Sequence, residues 1–253
     1  MPPEVRVLTE ELNDFGSIAD VYDQLVSWAP YARWVCDLMR RLSLYGVKPG
    51  QLVLDCACGT GLSTLPWAEH GCPVVGTDRS EEMLRQARKK LIGRDLPVTF
   101  VRQDILELDL PLKSDLAVCM HSGLDYILDL GDLARAFSSL RGQLRPGGLL
   151  AFDKCLDEPG FYRKSYTHSR TIPAGRAVFE YSWDRELKLF DQRCTVLRDG
   201  AEGGSARTEV LYRMRAVPLG DLIAMVESVG FETLEPPRQF TVSDPGMGIF
   251  RAV

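Results

Sequence analysis

The segment Val53-Leu54-Asp55-Cys56-Ala57-Cys58-Gly59-Thr60-Gly61 restricts this chain more than any other. Apolar residues run into an acid, a short loop of small residues follows, and Leu62 to Glu69 has the pattern of a helix. Strand, tight turn and helix in that order open a doubly wound α/β fold, whose ligand sits at the turn. Gly59 and Gly61 permit backbone angles and a closeness of approach that a β-carbon would deny. Asp55 narrows the ligand further. A carboxylate at the strand end repels a pyrophosphate and suits a group carrying an ammonium charge. The turn is therefore better matched to a nucleoside with a charged amino-acid tail than to a dinucleotide.

The alternation continues downstream. A strand over Val74 to Thr77 leads to a helix over Ser80 to Leu91, with Ser80 as N-cap and Glu82 in the first turn. A strand over Val98 to Arg102 precedes a connecting loop from Leu106 to Leu112. A strand over Leu116 to Met120 passes through His121-Ser122-Gly123-Leu124-Asp125-Tyr126 into a helix over Leu130 to Leu144, and a strand over Leu149 to Asp153 completes the fifth step. Repeated helical crossovers imply parallel strands, since parallel neighbours need a long return path. Upstream, helical spacing predicts one helix over Phe15 to Ser27 and a second from Tyr31 to about Tyr45, ended by Gly46. Residues 1 to 14 are irregular and expected to be poorly ordered.

After Phe161 the period changes. Short runs of β-formers (Ser169 to Ile172, Ala177 to Trp183, Lys188 to Leu197, Thr208 to Ala216) alternate with turn signals and predict an antiparallel meander. Ala201 to Ser205 reads as the tip of a hairpin. Leu219 to Val229 returns to helical spacing, and Phe231 to Leu234 and Met247 to Ala252 read as closing strands of the main sheet. The expected fold is α/β: a doubly wound, mostly parallel, seven-stranded Rossmann-like sheet with an inserted antiparallel sheet. The expected parts are an N-terminal helical segment at 1–45, a core at 46–158 and 218–253, and the β insertion at 159–217.

Several of these pieces, in this order, resemble the class I S-adenosylmethionine-dependent methyltransferases. Asp55 to Gly61 resembles the family's cofactor loop, and Val74-Val75-Gly76-Thr77-Asp78 with Ser80-Glu81-Glu82-Met83-Leu84 its second strand and following helix. Val101-Arg102-Gln103-Asp104-Ile105 resembles the end of its third strand, and Leu144-Arg145-Pro146-Gly147-Gly148 the turn before its fifth. The likeness spans roughly residues 15 to 155. It implies S-adenosyl-L-methionine as cofactor. Asp55 and the loop at Ala57, Gly59 and Gly61 would then face the methionine amine. Asp78, with Arg79 beside it, would accept from the ribose hydroxyls. Gln103, Asp104 and Ile105 would bracket adenine, Asp104 accepting from its amino group while Met83 and Ile105 cover the ring. Met120 would lie against the sulfonium. Phe15 to Asp23 resembles the helix that many small-molecule methyltransferases lay over the cofactor, which makes Tyr22 and Tyr31 lid residues. The β insertion is similar to those that close over the acceptor pocket in one branch of that family.

Methyl transfer from a sulfonium is an in-line displacement, so the chain needs to align and desolvate rather than to supply a nucleophilic triad. His121, the one histidine near the motifs, is the candidate catalytic residue, either taking a proton from an amine or hydroxyl or shaping the pocket. Tyr126, Tyr166, Arg170, Tyr181 and Arg193 are candidate substrate contacts, although alternation in a meander explains their types equally well. The expected acceptor is a nitrogen or oxygen of a small molecule. No Asn-Pro-Pro-Tyr-like motif follows the fourth strand, where His121-Ser122-Gly123-Leu124 stands, which argues against amide or nucleobase amino groups. A net charge of −5 and a pI near 5.4 argue against a nucleic-acid partner. No apolar run approaches a membrane span, and Met1-Pro2-Pro3-Glu4 does not open a signal peptide. Seven cysteines without a Cys-Xaa-Xaa-Cys pair read as reduced thiols in a cytoplasmic protein with no zinc site. Two other readings remain at this level. One is a nicotinamide-dependent oxidoreductase, whose fingerprint wants a small residue at Thr64 and no charge at Asp55. The other is a subunit that binds S-adenosylmethionine without transferring its methyl group.

Overall fold

A computed structural model describes residues 12–157, 165–199 and 205–253. Its frame is a seven-stranded sheet built from β1 (Val53–Cys56), β2 (Val74–Asp78), β3 (Val98–Arg102), β4 (Ser114–Cys119), β5 (Leu144–Phe152), β10 (Phe231–Glu235) and β11 (Gly248–Ala252). The strand order is β3-β2-β1-β4-β5-β11-β10, with β11 antiparallel to β5. The chain winds outward from β1 in one direction and resumes from β4 in the other. The crevice between β1 and β4, at their carboxyl ends, is thus the switch point at which doubly wound sheets hold ligands.

Adjacent residues of the strands serve opposite faces, because side chains alternate along a strand. Leu54, Ala117, Leu150 and Phe250 pack under α5 (Leu130–Gln143) and α6 (Leu219–Ser228). Val53, Leu116, Val118 and Ile249 pack under α2 (Tyr31–Ser43) and α3 (Thr64–Glu69). Burial on both faces is why these strands read as apolar runs. α4 (Glu81–Lys89) begins at Ser80, whose hydroxyl accepts the Met83 N–H, as its position before an acidic first turn predicts.

The second sheet is a meander of β6 (Tyr166–Ile172), β7 (Gly175–Asp184), β8 (Leu189–Asp199) and β9 (Ser205–Arg215). One face packs on Ile18, Val21 and Leu25 of the amino-terminal segment. Asn13 stitches that segment to β9: its N–H donates to the Leu211 carbonyl at 2.9 Å, and its side-chain oxygen accepts the Arg213 N–H at 2.8 Å. Between the sheets, the buried Lys154 ammonium lies 2.8 Å from the Asp125 carboxylate and also donates to the Arg215 carbonyl.

Three expectations need correction. The single helix over Phe15 to Ser27 is instead a 3₁₀ turn at Gly16–Ile18 and a four-residue α1 (Tyr22–Leu25). Here Ile18, Val21 and Leu25 serve the second sheet, while Asp23 is held by the Thr60 hydroxyl at 2.5 Å and the Lys90 ammonium at 2.5 Å. Two anchors in different directions interrupt the helix. β5 starts at Leu144 rather than Leu149, with a register shift opposite Ser114 and Leu116 and Gly147 at φ +76°. The connecting loop from Leu106 is shortened by a 3₁₀ turn at Ile105–Glu107. Of the expected hairpin tip over Ala201 to Ser205, residues 201–204 lie outside the described residues, as do residues 1–11 of the irregular stretch 1–14.

Candidate active site

The carboxyl ends of β1, β2 and β4 deliver three loops to one cleft. In the first, Ala57, Gly59 and Gly61 all have positive φ, at 52°, 55° and 79°. Only glycine adopts such angles without cost, so Ala57 is a strained position held by its surroundings. The loop is tied to β2 by Cys58, whose N–H donates to the Thr77 carbonyl at 3.0 Å. The Gly59 N–H donates to Asp78 Oδ2 at 2.8 Å, and the Ser80 N–H to Asp78 Oδ1 at 2.9 Å. These bonds fix the Asp78 carboxylate at the cleft with acceptor capacity to spare. Burial raises its pKa above the ordinary carboxylate value.

The loop after β4 is the second strained piece. His121 and Ser122 have φ of 62° and 69°, and the Ser122 N–H donates to Asp153 Oδ2 at 2.8 Å. That carboxyl group is buried and pushed up to about 8 by desolvation and by the neighbouring Asp125 charge. Gly123 is required where this loop crosses the first. A β-carbon there would stand 2.6 Å from Cys119 Sγ and 2.9 Å from the Ala57 β-carbon.

The His121 imidazole sits inside an aromatic cage. Ring centroids lie at 5.3 Å for Tyr31, 5.6 Å for Trp28, 5.7 Å for Trp34 and 6.3 Å for Phe240. Desolvation in this cage lowers its pKa to about 4, so the ring is neutral at physiological pH. Its Nδ1 is hydrogen-bonded to the Tyr31 hydroxyl. Burial raises the pKa of the Tyr31 and Tyr22 phenols, that of Tyr22 to about 12, so both remain neutral.

Two cavities meet at this histidine. The larger, of about 900 Å³, runs from the glycine loop past Asp78 and Met83 to Asp104 and Ile105. The smaller, of about 450 Å³, lies between α1 and the inner face of the second sheet. Phe15, Tyr22, His121 and Tyr126 line both.

Residues 53–148 match a family model described as a methyltransferase domain. A putative methyltransferase of Geobacillus sp. is 27% identical over 236 residues, covering 91% of this chain and 94% of that protein. A demethylmenaquinone methyltransferase of Geobacillus stearothermophilus is 30% identical over 194 residues, covering 68% of this chain and 77% of that protein. The chain belongs to the S-adenosylmethionine-dependent methyltransferases. At the level of fold it is also similar to the crystal structure of an S-adenosylmethionine-dependent methyltransferase from Clostridium acetobutylicum, with a TM-score of 0.79, 20% identity, and coverage of 95% of this chain and 99% of that one.

In this methyltransferase the donor set of the larger cavity suits S-adenosylmethionine, the family's cofactor. Asp78 and Asp104 offer carboxylates for hydroxyl and amino groups, and a β-carbon at Gly59 would press to 3.2 Å from Met83 Cε in the cradle wall. Of the residues expected to hold it, Tyr22, Tyr31, Ala57, Gly59, Asp78, Arg79, Met83, Gln103, Asp104, Ile105 and Met120 line this cavity. Asp55 and Gly61 do not. The Asp55 side chain is fully buried under the loop, where Oδ2 accepts the Ser63 hydroxyl at 2.8 Å and the Thr64 hydroxyl at 2.6 Å. Desolvation pushes its pKa up to about 6 against those two bonds. It shares a face with Val53, toward α3, so it braces the loop from behind. A β-carbon at Gly61 would reach 3.0 Å from Phe100 Cζ, so this glycine packs against β3. Gln103 has its amide committed to both backbone groups of Asp109, at 2.7 and 2.8 Å.

Among the candidate substrate contacts, Tyr126, Arg170 and Tyr181 line the smaller cavity. Tyr166 does not; it stacks on Tyr181 with centroids 4.4 Å apart. Arg193 pairs with Glu209 on the opposite face of the sheet. Sequence reasoning assigned no site role to Asn13, Thr60 and Gly123 in the larger cavity, or to Asp153 beneath the His121 loop. Gly123 alone carried a local signal, as a glycine directly after the fourth strand.

Proposed function

We propose that this methyltransferase transfers the methyl group of S-adenosylmethionine to a nitrogen or oxygen of a small molecule held in the smaller cavity. The observation that carries the reading is the junction of the two cavities at His121 and Tyr126, under Tyr22. A volume of about 450 Å³ is within the range of small-molecule sites.

The sulfonium of the cofactor supplies an activated methyl group and a good leaving group. The chain's own work is alignment, desolvation and proton handling. Asp78 is assigned to the ribose hydroxyls, Asp104 to the adenine amino group, and Met83 and Ile105 to the faces of the base. Met120 and His121 bound the space between the cavities, and the cage around His121 excludes water there. His121 Nε2 makes no hydrogen bond among the described residues. For Nε2 to take a proton from an amine or hydroxyl acceptor, Nδ1 must carry hydrogen and donate to Tyr31. That bond would stabilise the imidazolium at the moment it forms, within a cage that otherwise opposes the charge.

The test is transfer of an isotopically labelled methyl group from S-adenosylmethionine to a library of metabolite amines, phenols and alcohols. His121→Ala should lower kcat at least about tenfold on any acceptor found while leaving the Kd for S-adenosylhomocysteine within about threefold. Tight cofactor binding with no labelled product from any acceptor would support a non-catalytic binding subunit instead. Seven cysteines, none disulfide-bonded, support a reducing compartment such as the cytoplasm. Among the described residues, no helix is long and apolar enough to cross a membrane.

A further inference from the structure

The inner face of the second sheet sorts its charges unusually. By register, Glu180, Asp191 and Glu209 all stand on the outer face, and Arg213 meets Asp191 there at 2.6 Å while Arg207 meets Glu209 at 2.5 Å. Arg170 stands on the other face, in the cross-strand row Arg170, Ala177, Val196, Thr208. Among the described residues it is the one arginine or lysine lining the smaller cavity, and no aspartate or glutamate lines it. Arg198 on the same face differs, because its guanidinium is paired with Asp20 at 2.9 Å. Arg170 has no carboxylate partner among the described residues; its guanidinium carbon lies 5.1 Å from the centre of the Phe179 ring.

Two groups lining this cavity are buried without a hydrogen-bond partner among the described residues: Arg170 Nε and Tyr212 Oη. Both can donate. Burial raises the Tyr212 pKa well above its ordinary value, so it keeps its proton, and burial also draws Arg170 below the usual guanidinium value. Orphaned buried donors are costly, and a charged one most of all. A ligand bringing acceptor atoms and negative charge would relieve both. The remaining wall, including Phe15, Phe179, Tyr181 and Met214, is largely aromatic and apolar.

We propose that the acceptor carries an oxyanion, a carboxylate or a phosphate, on an apolar or aromatic body, with Arg170 as its counter-charge and Tyr212 as a second donor. This rests on the reading of the smaller cavity as the acceptor site. A cationic acceptor would instead meet a like charge in a cavity with no acid to offset it. The site then orients its substrate by a charge at one end, leaving the methylated atom to face His121 at the other.

The test uses the full chain saturated with S-adenosylhomocysteine and three probes: 3-hydroxybenzoate, 3-hydroxybenzamide and phenyl phosphate, each titrated by calorimetry. The wild type should bind at least one of the two anions about tenfold or more tightly than the amide, since charge-assisted bonds to arginine are the stronger kind. The tighter of the two anions identifies the oxyanion. Arg170→Met should abolish the preference for the anion while keeping S-adenosylhomocysteine affinity, and Arg170→Lys should restore part of it. The proposal is overturned if the amide binds as well as both anions, if Arg170→Met retains the preference, or if neither anion binds at about 10 mM. Failure of the wild type to bind S-adenosylhomocysteine would instead defeat the cofactor assignment beneath it.

Discussion

Replacing Asp78 by alanine tests the ribose assignment, and its size follows from the geometry. The carboxylate already accepts Gly59 N–H at 2.8 Å and Ser80 N–H at 2.9 Å, and faces the larger cavity with further lone pairs. If those lone pairs accept two ribose hydroxyls, two hydrogen bonds to a charged group are lost, each contributing about 1.5–3 kcal/mol. Water can enter the space left beside an open cavity and recover part of this. A net loss of about 3 kcal/mol, or about 150-fold in Kd, is expected for S-adenosylhomocysteine. Effects on the loop must be separated from effects on the ribose, because Gly59 and Ser80 also lose their acceptor. The 2′,3′-dideoxy analogue of S-adenosylhomocysteine makes that separation. It should bind wild type weakly and lose only a few-fold more in Asp78→Ala, and the difference between the two ligands' losses isolates the ribose contribution. Calorimetry on both proteins with both ligands completes the cycle. Unchanged affinity for the parent ligand would refute the assignment. Equal losses for both ligands would reduce Asp78 to a brace for the loop.

Two further perturbations follow from strain and charge. Asp153, raised to about 8, keeps its proton in the fold from about pH 4, where the unfolded chain releases it, so its contribution to stability falls as pH rises from about 4 and levels off above about 8. His121 works in the opposite sense and at lower pH: depressed to about 4, it costs stability as pH falls from about 6.5 toward 4. Urea midpoints across pH 6.5 to 8.5 should therefore decline for wild type and stay level for Asp153→Asn, whose carbonyl can still accept Ser122 N–H; parallel profiles would refute the shifted carboxyl. Gly61→Ala places a β-carbon at φ +79° and 3.0 Å from Phe100 Cζ, for which a loss of about 1–3 kcal/mol is expected in denaturant unfolding. A change under about 0.5 kcal/mol would mean that the loop relaxes freely.

The main sheet was legible because its central strands β1 and β4 are buried along their whole length and bounded by turn residues, a pattern that survives without tertiary knowledge. The place of Asp78 at the larger cavity was legible for a related reason, since the end of the second strand has one fixed position beside the switch point. Asp55 does not line the larger cavity, because its side chain shares Val53's face, where Oδ2 accepts the Ser63 and Thr64 hydroxyls and Oδ1 is buried without a partner among the described residues. The broken helix at Phe15 to Ser27 was hidden because its apolar spacing is helical, whereas the force that interrupts it comes from Thr60 and Lys90. Asp153 carried no local sign of its role. It accepts the N–H of left-handed Ser122, 31 positions earlier in the chain, and only the adjacency of β4 and β5 brings the two together. Arg170 was named among several candidates, but its distinction from Arg193 lies in which face of the meander each occupies. The register of four strands decides that, and the register was not in the sequence pattern.

The account stands on one placement: a sulfonium nucleoside on the glycine loop, with its reacting end at His121 where the two cavities join. A crystal structure grown with S-adenosylhomocysteine measures it directly. The account predicts the ribose on Asp78, adenine between Met83 and Ile105, and the sulfur beside Met120 and His121 with an open path into the smaller cavity. A nucleoside bound elsewhere, or a sulfur turned away from His121, would contradict it.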